Sequence, residues 1–228
     1  MTPSAVQLAL VALLGAVLAL DQGASPRFLL SQPLVSGALC GALLGRFEPG
    51  VVAGGVLQMI FMAMLPVGGA RLPEAWLGSL AVCIAAPGDL GMGRAAWLDD
   101  ARLAAPAVVG VLTAYAGGRL WHLQRRLQGR LAADLPARVE AGDLRGIDRL
   151  HEAGLFLHAG RGAATAVLVA LLAAPAARLL AGLGVAAPAG RLALALAAVA
   201  LLRRSGGRKR LWPLLTGGAA GLLLAVPW

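Results

Sequence analysis

Apolar runs separated by short polar breaks account for most of the chain. They cover residues 5–20, 28–44, 50–65, 103–118, 163–202 and 211–228. A helix needs about 20 mostly apolar residues to cross the hydrocarbon core of a bilayer. The longest run contains Gly182, Gly184 and Pro188 between two apolar halves, which is typical of a helical hairpin. The pattern therefore predicts an all-α integral membrane protein with several spans.

The region 66–90 departs from this pattern. Residues 66–73 are rich in glycine and broken by proline, and the apolar stretch 75–86 is too short to span as an ordinary helix. Irregular backbone at membrane depth is tolerated only where protein or a water-filled cavity satisfies its polar groups. We expect a broken or re-entrant segment here, and this segment is the first place to look for a site.

The region 119–152 departs from the apolar pattern because it is rich in arginine. Arginine occupies positions 119, 125, 126, 130, 138, 145 and 149, and leucine recurs at positions 120, 123, 127 and 131. Leucines spaced three or four residues apart among arginines predict an amphipathic helix that lies along the membrane surface. The pattern is interrupted near Asp134 and Pro136 and restarts near Asp143.

Small residues mark the second apolar run. Ser36, Gly37, Gly41 and Gly45 follow one another at spacings of about one helical turn. Small residues at this spacing allow neighbouring helix backbones to approach closely. We expect this helix to face protein on at least one side.

Composition and charge agree with a membrane protein. Of the 228 residues, 59% are hydrophobic and 14% are charged, and the mean hydropathy is +0.77. That excludes a water-soluble globule, for which about 45–50% apolar and 25% charged residues are typical. The net charge of +9 includes seven arginines at 119–152 and five basic residues at 203–210. The positive-inside rule places both regions on the cytoplasmic side, so the charge does not require a nucleic-acid partner.

Candidate chemistry is sparse. Gln58 lies within an apolar run, where its carboxamide suits the hydroxyl groups of a sugar or clamps two helices together. Asp21 either faces a cavity or ends the first helix at the water boundary. His151 and His158 share a helix face, but no third metal ligand accompanies them. Without a nucleophile, paired acids or a metal cluster, the sequence predicts a protein that is no enzyme and uses no cofactor or metal.

Two motif blocks, in this order along the chain, point to a family. The first contains Gly54-Gly55-Val56-Leu57-Gln58-Met59, then Val67-Gly68-Gly69-Ala70 and Pro73-Glu74-Ala75. The second runs from Leu150-His151 through Leu155-Phe156-Leu157-His158 to Arg161. Together with shorter motifs such as Gln32-Pro33-Leu34, this arrangement resembles the membrane-spanning IIC subunits of the mannose/fructose/sorbose class of the bacterial phosphotransferase system.

The resemblance implies a single transmembrane IIC domain over residues 1–228. Residues 1–118 would supply N-terminal helices with the candidate sugar site, 119–152 an amphipathic cytoplasmic segment, and 153–228 the C-terminal helices. It implies a multi-pass protein of the bacterial inner membrane that imports a hexose or amino sugar beside a IID partner, in an oligomer. Phosphoryl transfer would belong to cytoplasmic IIA and IIB subunits.

The resemblance also implies a set of sugar-binding residues. They are Gln58, Val67, Gly68, Gly69, Asp21 and Glu74. Gln58 matches a position where the family commonly has Glu or Gln, and the next three match a turn whose backbone lines the cavity. Asp21 and Glu74 match acidic positions for which a structural role stays open. Pro66 stands where some members carry Asn, which leaves the sugar unspecified.

An alternative function remains open. The arginine-rich segment 119–152 would equally serve a non-transporting or regulatory membrane scaffold that docks a cytoplasmic partner. A scaffold would be indifferent to the loss of the Gln58 carboxamide, whereas a sugar site would not.

Overall fold

The structure is a computed structural model that describes residues 4–23, 28–61, 73–87 and 101–184. Within these ranges all regular structure is helical, as predicted. The α-helices are α1 (Ala5–Gly23), α2 (Pro33–Leu43), α3 (Phe47–Phe61), α4 (Ala75–Ala85), α5 (Ala104–Leu131), α6 (Leu135–Glu140) and α7 (Leu144–Gly182). A 3₁₀ turn at Ala101–Leu103 precedes α5. Among the described helices, α1 and α7 are long and apolar enough to cross a membrane.

Helices α2 and α3 form a tight antiparallel hairpin. Gly37 and Gly41 of α2 face Gly50 and Gly54 of α3, and a Cβ atom on any of them would approach backbone across the hairpin closer than 3.0 Å. The close approach predicted for the second apolar run is therefore confirmed. Gly45 lies in the turn between the helices at φ +68°, a conformation that glycine adopts without steric cost.

Helix α1 packs antiparallel along α7. Gly15 meets Gly162 and Ala166, and further along α1 Gly23 meets His158. Added Cβ atoms on Gly15 and Gly162 would each come closer than 3.0 Å to the other residue's carbonyl oxygen. Small residues at such a contact allow two backbones to pack directly, which supplies van der Waals attraction where lipid offers little hydrophobic driving force.

Helix α4 lies inside the bundle. Its eight consecutive residues from Trp76 to Cys83 are all buried, and α4 contacts α2, α3, α5 and α7. With 11 residues it is about 16 Å long, half the hydrocarbon thickness of a bilayer. The short apolar piece predicted at 75–86 is thus confirmed as a short helix, and other helices of the bundle pack around it.

An arginine from the turn between α2 and α3 caps the C-terminal end of α4. Arg46, in the turn between α2 and α3, donates through Nη1 to the carbonyl oxygens of Cys83 and Ile84, both at 3.0 Å. Its Nη2 donates to the carbonyl oxygen of Ala86. These carbonyls have no partner within the helix, and a positive charge at this end complements the helix dipole.

The region 119–152 is helical with breaks where they were predicted. A turn at residues 132–134 precedes α6, and α7 begins directly after Asp143. Residues 119–131, however, are no separate surface helix, because α5 continues through them without interruption. The helix continues through the pair Gly117-Gly118, and Gly117 makes room for the buried carboxylate of Glu74. The leucines predicted to form the apolar stripe are exposed along α5.

The first turn of α7 is held by an aspartate. Asp143 accepts a hydrogen bond from the Gly146 N–H at 2.9 Å and an ion pair from Arg138 at 2.9 Å. The Gly146 N–H bond, assisted by Arg138, lowers the pKa of Asp143 below its ordinary value. A lowered pKa in the folded state means that this carboxylate stabilises the fold above its unfolded-state pKa and stops doing so as pH falls through the folded value.

We therefore expect the start of α7 to loosen in acid. Hydrogen exchange of the amides at 144–147, corrected for intrinsic rates, should accelerate in wild type as pH falls below the ordinary aspartate range. An Asp143→Asn variant keeps an N-cap oxygen, so its exchange should lose this pH dependence. Equal acid sensitivity in both proteins would contradict the assignment.

Candidate functional site

Four helix ends meet at one level of the bundle, which we call the site end. They are the C-terminal ends of α1 and α3 and the N-terminal ends of α2 and α4. The middle parts of α5 and α7 pass beside them. Three of the predicted site residues lie at this end although they are far apart in sequence. They are Asp21, Gln58 and Glu74.

Asp21 holds the turn that leads into α2. Its Oδ1 accepts the Phe28 N–H at 2.6 Å, and its Oδ2 accepts the Ser31 N–H at 2.8 Å. Between these residues Leu29 has φ +62°, which costs a non-glycine residue roughly 1 kcal/mol. The buried carboxylate stabilises this conformation. Of the two interpretations left open for Asp21, the structural one fits these contacts.

Gln58 faces the beginning of α2. Its Oε1 accepts the Leu34 N–H and its Nε2 donates to Gln32 Oε1, both at 3.4 Å. Gln58 is partly exposed and Gln32 is exposed. Hydrogen bonds of this length are weak compared with the usual 2.9–3.0 Å. The two carboxamides therefore sit at a helix N-terminus with polar groups that an incoming hydroxyl can engage.

Glu74 is fully buried directly before α4. Its Oε1 and Oε2 accept from Nη2 and Nη1 of Arg161 at 2.7 and 2.6 Å, a bidentate pair across 87 positions of sequence. Its own N–H donates to the Ala114 carbonyl at 2.8 Å. Both carboxylate oxygens are thus occupied by protein. The structural interpretation that was left open for Glu74 fits this geometry.

The ion pair continues into a chain of hydrogen bonds between α5 and α7. Arg161 Nε donates to Gln124 Oε1, and Gln124 Nε2 lies 2.6 Å from His158 Nδ1. Gln128 Nε2 lies 3.2 Å from the same nitrogen. An amide nitrogen only donates, so His158 Nδ1 is the acceptor and the neutral ring carries its proton on Nε2. Nε2 is buried against Gly23.

The remaining predicted residues have different outcomes. Val67, Gly68 and Gly69, as well as Pro66, lie outside the described residues. His151 is exposed whereas His158 is buried, because α1 ends at Gly23 beside His158 and does not extend to His151. No group of three potential metal ligands occurs among the residues that the structure describes.

Sequence reasoning did not single out Gln32, Gln124 or Arg161 as site residues. Arg161 closed a motif block, and Gln124 lay in a segment that looked like a solvated basic face. A signal was available for Arg161, because a charge beside a long apolar run is costly unless it is paired. Its partner could not be identified from spacing.

Comparison with known proteins decides the family. A family model described as the sorbose-specific IIC component of the phosphotransferase system (PTS) matches residues 5–182. The chain belongs to this family. The identification as an IIC component of the mannose/fructose/sorbose class, made from the motif order, is confirmed.

Two relatives illustrate the family. The chain is 32% identical over 147 residues to the PTS mannose-specific EIIC component of Escherichia coli K12, which covers 63% of this chain and 50% of that protein. It is 26% identical over 170 residues to the fructose permease IIC component of Bacillus subtilis 168, which covers 74% of this chain and 57% of that protein. The chain thus spans about half the length of the curated relatives it matches.

Solved structures support the membrane fold of this IIC chain. A cryo-EM structure of the mannose transporter ManYZ in complex with microcin E492 matches with a TM-score of 0.63 at 22% identity, over 100% of this chain and 90% of that one. A structure described only as a membrane protein matches with a TM-score of 0.70 at 22% identity, over 99% and 90%. The predicted all-α membrane fold is therefore confirmed.

Proposed function

We propose that this IIC chain is the sugar-translocating membrane subunit of a phosphotransferase system and binds a neutral hexose-type sugar at the site end. Family membership supports a transport role without catalysis by the chain itself. Two relatives, a mannose-specific component and a fructose permease, support a hexose as the ligand class by their names. Amino sugars share the same hydroxyl chemistry and belong to the same proposal.

The arrangement of Gln58 and Gln32 carries the proposal. Two carboxamides face each other at the N-terminus of α2, joined by one hydrogen bond of 3.4 Å, and Gln58 accepts a second bond of 3.4 Å from the Leu34 N–H. A ligand can replace these long bonds with shorter ones. Each carboxamide offers donors and an acceptor, which suits vicinal hydroxyls that both donate and accept. A neutral sugar needs such groups and no formal charge.

Loss of the Gln58 carboxamide tests the proposal. In cells that carry the variant gene in place of the native one, Gln58→Leu should sharply reduce uptake of labelled mannose, fructose and sorbose at sugar concentrations near the wild-type KM. The substitution keeps an apolar side chain on α3 but removes both hydrogen-bonding groups. An unsatisfied sugar hydroxyl at the site costs about 1–3 kcal/mol, or roughly 5- to 150-fold in affinity.

Two matched variants give the control. Gln58→Glu keeps a hydrogen-bond acceptor. It should retain uptake, because the resemblance matches Gln58 to a position where the family commonly has Glu or Gln. Met59→Leu changes the neighbouring side chain at nearly constant volume and should leave uptake unchanged. Undiminished uptake by Gln58→Leu, with each protein present in the membrane at equal amount, would refute a sugar site at Gln58.

The finer assignments follow from the same proposal. The segment with Val67, Gly68 and Gly69 supplies backbone groups to the sugar, whereas Asp21 and Glu74 support the site from outside it. The chain crosses the bacterial inner membrane several times and transports sugar beside a IID subunit in an oligomer. IIB phosphorylates the sugar with phosphate received from IIA, which removes the free sugar and makes import effectively one-way.

A scaffold role is the second candidate. It is favoured by four exposed arginines on the C-terminal half of α5, which are available to a cytoplasmic partner. They are Arg119, Arg125, Arg126 and Arg130. The same Gln58→Leu variant separates the two functions. A scaffold keeps its partner and its phenotype when the carboxamide is lost, and a transporter does not.

A further inference from the structure

We propose that Arg161 is a positioning residue for sugar binding: through Glu74 it fixes α4, and α4 in turn sets the distance between Gln32 and Gln58. This inference rests on the proposed function, because it assigns Arg161 a role in the affinity of that same site. Arg161 itself touches neither carboxamide in the described contacts. Its action runs through one contact that fixes α4 and two contacts from α4 to the helices that carry the carboxamides.

The first contact fixes the N-terminal end of α4. Glu74 is fully buried and Arg161 is nearly so, with 11% of its side chain exposed. Burying two charges costs several kcal/mol per ion, so such a pair is poor as a simple source of stability. What the fork-shaped guanidinium adds is geometry, because two parallel bonds to one carboxylate define both its position and its orientation.

The Arg161 guanidinium is itself held in place. Its Nε donates to Gln124 of α5, and the Glu74 N–H donates to Ala114 of the same helix. Gly117 of α5 leaves the space that the carboxylate occupies. The beginning of α4 is therefore fixed against two helices at once, α5 and α7.

The second contact carries this position to α2. One turn into α4, the Ser79 hydroxyl lies 2.8 Å from the Ser36 hydroxyl of α2, and both are buried. Ser36 Oγ also lies 3.2 Å from the carbonyl oxygen of Pro33, in the first turn of α2. That turn begins directly after Gln32. A shift of α4 is thus transmitted to the Gln32 side of the site.

The third contact carries the position to α3. The Leu57 side chain is fully buried and lies against Gly78 of α4 and Gly110 of α5. Leu57 directly precedes Gln58. Since Gly78 and Ser79 are consecutive, one turn of α4 contacts both helices that carry the two carboxamides.

The test is the sugar concentration dependence of uptake. Arg161→Lys keeps the positive charge but replaces the fork with a single ammonium group. We expect it to raise the KM for mannose or fructose, whichever the wild type takes up, by about tenfold while the maximal rate stays within twofold. Arg178→Lys, an exposed arginine on the same helix, should leave both parameters unchanged.

A second variant keeps the inference falsifiable if Arg161→Lys does not accumulate. Ser79→Ala leaves the ion pair intact and removes the link to α2, together with the bonds from the Ser79 hydroxyl to the Ala75 and Trp76 carbonyl oxygens within α4. It should therefore also raise KM while the ion pair still holds the N-terminal end of α4. An unchanged KM in Arg161→Lys overturns the positioning role. If Arg161→Lys does not accumulate, an unchanged KM in Ser79→Ala overturns it. The proposed function fails separately, if Gln58→Leu takes up sugar as well as the wild type does.

Discussion

A Gly162→Leu variant is expected to lose about 1–3 kcal/mol of unfolding free energy, or more, because its side chain has no room between α1 and α7. A single Cβ atom at this position would come closer than 3.0 Å to the Gly15 carbonyl oxygen and to the Ala19 side chain. The first of these is backbone and cannot rotate away. The two helices must then separate along the contact that holds α1 in the bundle.

Gly160 supplies the matched control for this variant. It lies two residues earlier in the same helix, and a Cβ there meets nothing within 4 Å. Leucine favours helix over glycine by up to about 1 kcal/mol, so Gly160→Leu should be neutral or stabilising. Thermal or denaturant unfolding in detergent measures both. Equal stability of the two leucine variants would contradict the packing described for α1 and α7.

Arg161→Met is expected to destabilise the protein by about 3–5 kcal/mol, because it leaves the Glu74 carboxylate buried without its partner. Glu74 has no exposed surface, and both of its oxygens accept from this one guanidinium. Melting of the purified protein in detergent reports the loss.

The double variant Glu74→Met with Arg161→Met distinguishes an unpaired charge from a lost packing contact. Removing both charges leaves an apolar pair of similar volume, so the double variant should be more stable than Arg161→Met alone. Arg138→Met, which breaks the exposed pair with Asp143, should have a much smaller effect. Glu74→Met alone completes the comparison. If the stability losses of Glu74→Met and Arg161→Met simply add in the double variant, Glu74 and Arg161 do not act as a pair.

The parts of the fold that depend on local sequence were predictable. The glycine spacing of the second apolar run indicated the contact between α2 and α3, and the short apolar stretch at 75–86 indicated a short helix. The break near Asp134 and the restart at Asp143 were visible from turn and capping residues. Each of these follows from steric or hydrogen-bonding preferences within a few residues of chain.

The parts that depend on distant partners were not predictable. Nothing in the residues around Glu74 indicates that Arg161 lies opposite, and the arginine pattern of 119–131 concealed that α5 continues from its apolar half. Gln124 has the same sequence context as its exposed neighbours, yet it is buried because α7 packs against that face. Pairings of this kind are set by tertiary packing, which period and composition do not encode.

The buried pair of Glu74 and Arg161 also has an electrical consequence. Moving one elementary charge through the full membrane potential involves about 2.3 kcal/mol per 100 mV. Because the two charges are opposite and held together, a movement of α4 and α7 that keeps them paired displaces no net charge across the field. The pair itself therefore adds no voltage dependence to such a movement, and only a step that separates the two charges would add one.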